Sequence, residues 1–310
     1  MKAVMYHYVR PDAPGLPHFP YLALADFERQ LESFGDCWGF VGREGFLDWV
    51  GGGPAPDGVL LTFDDGLRDH VDFVLPQLSA RGLFGLFYVS SGPVTEGRFL
   101  DVHKLHLALG RMGGEATLDW LRARAPQTTV AFSGFDDGAS PYARQKADTA
   151  TRFVKSLFNW KLPVDERSSL LDSLLVDAFD GSPPDWREYY LDEPDIRKIS
   201  SAGMGVGAHG HHHIVPSLLI SEEQKKEVDA STAFLDAVGG SRNWGYCYPH
   251  GVLYAEAAIT DAGYPFAFGV SPSDVEGTLR CEPRYDLPRH NCNAFAHGSV
   301  SYDVRPGLGR

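Results

Sequence analysis

Two stretches of this 310-residue sequence carry side chains whose types and spacing suit hydrolytic chemistry. In Thr62-Phe63-Asp64-Asp65-Gly66, two carboxylates stand side by side at the end of the apolar run Val59–Phe63, just before a glycine that permits a sharp turn. Adjacent side chains on a strand face opposite ways, so a turn beginning at Asp65 is what brings both to one cavity. One can then bind a metal while the other acts as a base; the pair also suits a helix N-cap. The second stretch, Gly207-Ala208-His209-Gly210-His211-His212-His213, crowds four of the twelve histidines behind another apolar run. His209 and His213 stand at i, i+4, and neutral imidazole is the commonest protein metal ligand. Spacing alone does not fix which two nitrogens bind, and His211 and His212 remain supporting or merely exposed groups. Two histidines with Asp65 make a three-ligand site with a position open to water, the layout of a catalytic metal.

The elements that must hold these residues alternate. Ala3–Val9, Val59–Phe63 and Leu83–Val89 read as strands, Leu24–Phe34 and Leu67–Ala80 as helices, the latter kinked at Pro76. Val59–Phe63 is continuously apolar, as in a strand covered on both faces of a parallel sheet. The same rhythm returns late, with a helix at Asp195–Ala202, a strand at Met204–Ala208, and a helix opened by Ser221 with Gln224 at capping-box spacing. Short strands at Tyr246–Tyr248 and Phe266–Val270 flank a helix near Ala255–Ala262. This predicts an α/β fold, open or closed into a barrel. Residues 105–195 break the pattern with helical stripes, Ala147-Ala150-Phe153-Val154-Leu157-Phe158 and Leu170-Leu171-Leu174-Leu175-Ala178-Phe179. They read as a helical insertion or cap between the two parts, 1–104 and 196–310, of a discontinuous catalytic domain.

Composition narrows the class. Hydrophobic residues at 43% and charged residues at 22% are those of an ordinary globular protein. A formal charge of −13 without a basic run disfavours nucleic acid and anionic membrane. Cys37, Cys247, Cys281 and Cys292 form no CxxC pair, so neither a zinc ribbon nor a disulfide framework is expected. Met1–Pro20 has no long apolar stretch and no later segment reaches membrane-spanning length, which makes a cytoplasmic location the expectation.

These motifs resemble the NodB-homology polysaccharide deacetylases, carbohydrate esterase family four. Thr62–Gly66 matches the family's TFDDG motif, and His209–His213 resembles its H-[ST]-x-x-H motif with Gly210 in place of Ser or Thr. Tyr246-Cys247-Tyr248-Pro249-His250-Gly251 is similar to the third motif, with Cys247 in place of an arginine and His250 of a tyrosine. Leu287-Pro288-Arg289 and Tyr6-His7-Tyr8 resemble segments of one branch of the family. The resemblance covers 1–104 and 196–310. It implies a distorted, incomplete (β/α) barrel in which Asp65, His209 and His213 bind a divalent metal, most often zinc, and Asp64 is the general base. A backbone N–H near His250 would help the metal hold the oxyanion.

The departures carry their own expectations. Cys247 cannot orient Asp64 as the family's arginine does, and Arg289 is the candidate replacement, against an ordinary surface ion pair. Arg289 also falls where the family's late histidine would align, so the general acid is to be sought among His290, His297, His250 and His7; His7 suits a core histidine equally well. Asp101-Val-His103-Lys-Leu-His106 reads first as a helix start capped by Asp101. Cys247 lacks the partners of a nucleophile, and Trp160, Trp186, Tyr189 and Tyr190 suit a helical core better than a sugar cleft. The expected function is removal of N-acetyl groups from an amino sugar in a glycan or glycan precursor. Its rivals are an amidohydrolase or O-deacetylase of a small substrate, and an inactive glycan-binding module. The apolar stripes of 105–195 are expected to bury themselves in a homodimer or as a lid beside the metal cleft, with a self-contained insert as the third option.

Overall fold

The computed structural model describes residues 1–125, 135–143, 145–270 and 284–298. Seven parallel strands form one sheet in the order β8-β7-β6-β5-β4-β1-β9. They are β1 (Lys2–Tyr6), β4 (Val59–Phe63), β5 (Gly85–Val89), β6 (Gly205–Ala208), β7 (Tyr246–Cys247), β8 (Ala267–Phe268) and β9 (His290–Asn291). A two-stranded pair, β2 (Val9–Arg10) and β3 (Leu22–Ala23), lies beside them. The sheet curls until its two edges share one segment. Leu287 N donates to Ala267 O and Gly269 N to Leu287 O on the β8 side, while β9, three residues on, pairs His290 with Val4 of β1. The result is a distorted, incomplete (β/α) barrel closed by a narrow staple.

Every residue of β4 and β5 is buried, as their continuous apolar sequences predict. One side of the sheet packs Tyr6, Phe63, Phe87 and Val206 against helices α1 (Leu24–Cys37) and α9 (Glu193–Ser201). The other packs Leu60, Leu86, Tyr88 and Phe268 against α2 (Arg43–Val50). The first expected strand, Ala3–Val9, splits in two: the chain leaves the sheet after Tyr6, and Tyr8 O accepts from Leu22 N instead. Pro76 stands inside a continuous helical stretch: the π-type turn His70–Val74 runs directly into α3 (Leu75–Arg81), so the irregularity expected at the proline takes the form of a wider turn just ahead of it. Ser221 begins α10 (Ser221–Val238), but the capping contact comes from Glu223, whose carboxylate accepts from Ile220 N. Gln224 bonds Leu219 O, Pro216 O and Ala255 N.

The middle segment is helical, as its stripes predict. After the short α4 (Gly92–Glu96) come α5 (Asp101–Met112), α6 (Gly114–Arg124), α7 (Thr149–Trp160) and α8 (Val164–Ala178). Their apolar faces meet one another: Leu105, Leu118, Leu121, Phe153, Phe158, Leu171 and Leu174 form a separate core. Leu175 turns to the barrel side and packs with Tyr8, Phe19, Leu67 and Leu107. Both stripes are thus covered within the chain, which removes the reason to expect a second copy over them. Position 104, the expected edge of this segment, lies inside α5. Asp101 does not cap that helix. It is buried in the first turn, and it accepts from Lys104 Nζ (3.0 Å), Arg167 Nε (3.0 Å) and Ser168 Oγ (2.6 Å), tying α5 to α8. Cys281 lies outside the described residues; Cys37, Cys247 and Cys292 are free thiols.

Candidate active site

The two acidic residues after β4 reach one cavity through a turn, as their spacing requires. Asp65 adopts φ +76°, a left-handed conformation uncommon outside glycine, and Gly66 follows at φ +66°. Asp65 Oδ1 then stands 3.2 Å from His209 Nε2 and 3.3 Å from His213 Nε2, all three side chains buried. His209 follows β6, and His213 closes its loop, also in a left-handed conformation (φ +57°).

The donor atoms of this triad converge as they would around a cation. His209 Nδ1 lies 2.8 Å from Cys247 O, a pure acceptor, so Nδ1 carries a proton and Nε2 is the nitrogen left for a metal to take in place of a proton. That nitrogen faces Asp65 Oδ1, a buried oxygen without a hydrogen-bond partner. Two imidazole nitrogens converging on a carboxylate oxygen fit a divalent metal of the zinc class.

The other oxygen of Asp65 is held from the helical segment. His103, on α5, places Nε2 3.0 Å from Asp65 Oδ2, and its Nδ1 meets Tyr190 Oη. Tyr190 Oη accepts from Leu100 N at 3.0 Å, so its own proton goes to His103 Nδ1, and His103 Nε2–H is left to donate to Asp65. The sequence reading assigned His103 to a helix start; the His103–His106 spacing was visible, but nothing local told which ring faces Asp65.

Asp64 is held differently. Arg289 Nη1 and Nη2 donate to its two oxygens at 2.7 Å each, a bidentate pair with both side chains almost fully buried. Arg289 Nη1 also donates to Thr62 Oγ1 (3.1 Å) and Nη2 to Cys247 Sγ (2.8 Å), and its guanidinium lies between the rings of Tyr88 and Phe268. Burial alone would raise the pKa of Asp64, but the Arg289 charge and its hydrogen bonds outweigh this and bring it to about 2. Burial raises the Cys247 thiol above its ordinary value, which keeps it protonated and unsuited to attack.

The candidates for the general acid separate by position. His7, past the end of β1, is 35% exposed in its side chain, not a core residue, and its Nε2 lies 3.9 Å from Asp65 Oδ2. His250 packs its ring 4.5 Å from that of His213 and 6.1 Å from Trp160, so α7 ends against the site. Burial pushes the His250 pKa well below the ordinary histidine value. His290 lies beyond Arg289 on the closing segment, with its ring against Phe295 on the opposite side of the sheet. His297 is exposed beyond it. Tyr189 and Trp186 pack in the core between the helical segment and the barrel.

Comparison with known proteins places this geometry. Residues 172–267, which carry His209, His213, Cys247 and His250, match the family model described as polysaccharide deacetylase. This segment is similar to polysaccharide deacetylases. Asp64, Asp65 and Arg289 lie outside it and join it only through the fold. Among solved structures, the deacetylase PplD of Streptococcus pyogenes, in complex with acetate, is 14% identical, with a TM-score of 0.54 over 94% of this chain and 91% of its own. The deacetylase domain of BpsB from Bordetella bronchiseptica is 12% identical, at 0.51 over 94% of both chains. A polysaccharide deacetylase from Bacillus cereus is 13% identical, at 0.50 over 98% of this chain and 66% of its own. At such identities the likeness is one of fold, the curled parallel half-barrel with its surrounding helices. No curated protein sequence matches the chain.

Proposed function

We propose that the chain is a metal-dependent hydrolase that removes N-acetyl groups from an amino sugar in a glycan or glycan precursor. The observation that carries the reading is Asp65 Oδ1, buried and without a hydrogen-bond partner between the Nε2 atoms of His209 and His213, beside a second carboxylate fixed by Arg289. Asp65, His209 and His213 would hold the metal. A bound divalent cation supplies a Lewis acid that polarises the acyl carbonyl and acidifies water, which a base as weak as Asp64 requires. Asp64, ionised at any working pH, accepts the proton of the attacking water through the lone pairs that Arg289 leaves open. His7, at the exposed mouth beside Asp65, is placed to protonate the departing amine. His250 and Trp160 form the facing wall.

The test is metal analysis of the purified protein followed by mass spectrometry of acetylated substrates. Loss of one acetyl mass from N-acetylglucosamine oligomers, abolished in His209→Ala together with the metal held at the Asp65 triad, is expected. Release only from O-acetyl esters or small amides would move the assignment to those bonds. Glycan binding without metal or turnover would leave a binding module.

A further inference from the structure

A second group of chelating side chains converges outside the Asp65 triad. Glu96 ends α4, and His211 and His212 sit in the loop after β6. Glu96 Oε1 stands 2.9 Å from His211 Nε2 and 2.8 Å from His212 Nε2. Its other oxygen accepts from Arg98 Nε. The rings are fixed from behind. His212 Nδ1 lies 2.6 Å from Glu227 Oε1, which only accepts, so Nδ1 carries a proton and Nε2, facing Glu96, is the nitrogen left for a metal to take in place of a proton. His211 Nδ1 meets Ser91 Oγ at 2.7 Å. Glu227 Oε2 accepts from both backbone N–H groups, His211 at 3.1 Å and His212 at 2.7 Å. A carboxylate behind a histidine whose other nitrogen faces an acceptor is how proteins orient imidazoles for metals.

We propose that Glu96, His211 and His212 form a second metal site, selective for transition-metal ions of the zinc class and separate from the Asp65 triad. Two imidazoles and one carboxylate favour such ions over magnesium or calcium, which take oxygen ligands. Ligand distances of about 2.0–2.1 Å around a tetrahedral ion set the donor atoms roughly 3.3 Å apart. The three side chains therefore spread by about half an ångström on loading. All three are partly exposed, which gives the ion a path in. Glu96 and His212 also line a cavity of about 240 Å³ that leaves space for a water as fourth ligand. An ion here clips α4 to the loop that carries His209 and His213. The inference stands on these contacts alone and does not depend on the hydrolase reading.

The experiment counts zinc. Chelator-stripped protein is dialysed against micromolar free Zn²⁺, and bound metal is measured by elemental analysis. Glu96→Gln and the pair His211→Ala/His212→Ala are each expected to hold one zinc fewer per chain than wild type, while His209→Ala keeps the outer one. An unchanged count in Glu96→Gln and in the histidine pair overturns the proposal. Should the histidine pair fail to fold, Glu96→Gln, at the partly exposed end of a short helix, decides it alone. Because the count falls by one whatever the Asp65 triad does, failure of the triad shows separately, as an unchanged count in His209→Ala.

Discussion

Asp64 is the residue on which chemistry and stability meet, because its partner Arg289 has nowhere else to place its charge. Asp64→Asn keeps the shape of the side chain but cannot accept a proton as a base. Turnover should fall by roughly 10²-fold or more. The same change leaves a buried guanidinium without its counter-charge, for which about 3–5 kcal/mol of stability should be lost. Activity assays and urea denaturation of one variant check both. The pH dependence has a definite sign. The folded pKa of Asp64 is about 2, below the ordinary 3.8, so its contribution is fully present above the ordinary value and is lost as pH falls through the folded one. In the metal-free protein it amounts to roughly 2–3 kcal/mol. The stability difference between wild type and Asp64→Asn should therefore shrink between about pH 4 and pH 2. A difference constant across that window would show that the pair is not what sets it. Arg289 was a candidate for this role from sequence, but its alternative, a surface ion pair, could be dismissed only once its burial was known.

At the scale of elements, each site residue is delivered by a strand end and corrected by a neighbour. Gly210 shows why this chain departs from the motif it resembles. It sits at φ +73°, and a Cβ there would come 2.9 Å from Pro249 Cγ. Gly210→Ser, which restores the residue usual in the motif, should cost about 1–3 kcal/mol through backbone strain and shift the His209–His213 loop. Thermal denaturation and zinc retention measure it; a neutral outcome would mean that the loop relaxes. The helical segment supplies the other correction, through α5. His103→Leu keeps the bulk of the side chain and removes the bond to Asp65 Oδ2, so zinc affinity at the triad should drop by about 10–100-fold, read by competition with a chromogenic chelator. The strands and most helices were legible in the sequence, since β4, β5 and α8 bury what their apolar patterns predict. Contacts between elements distant in sequence were not. No local pattern tells that His103 faces Asp65, or that Glu96 and Glu227 frame two histidines more than a hundred and some fifteen residues away.

For the molecule as a whole, the middle helices are a second core fastened to the barrel. Asp101, Lys104 and Arg167 tie α5 to α8, and Leu175 joins the barrel side. Leu171→Ala should therefore destabilise the chain by about 2–5 kcal/mol, the cost of an emptied core position, without altering its oligomeric state. Denaturation and light scattering on the same sample test this; a change of molecular mass with stability intact would restore the dimer expectation.

The staple Leu287–Asn291 bonds to both edges of the sheet and carries Arg289 inward, 225 residues after Asp64. Closure of the sheet and pairing of Asp64 are thereby tied to the same segment. While the chain is being made, Asp64 exists long before its guanidinium, and the sheet to which it belongs remains open. So long a loop is slow to close. A chain interrupted before Arg289 would have every proposed metal ligand yet would lack the grip on its base. The grip of Arg289 on Asp64 thus waits until the last of the described strands has been laid.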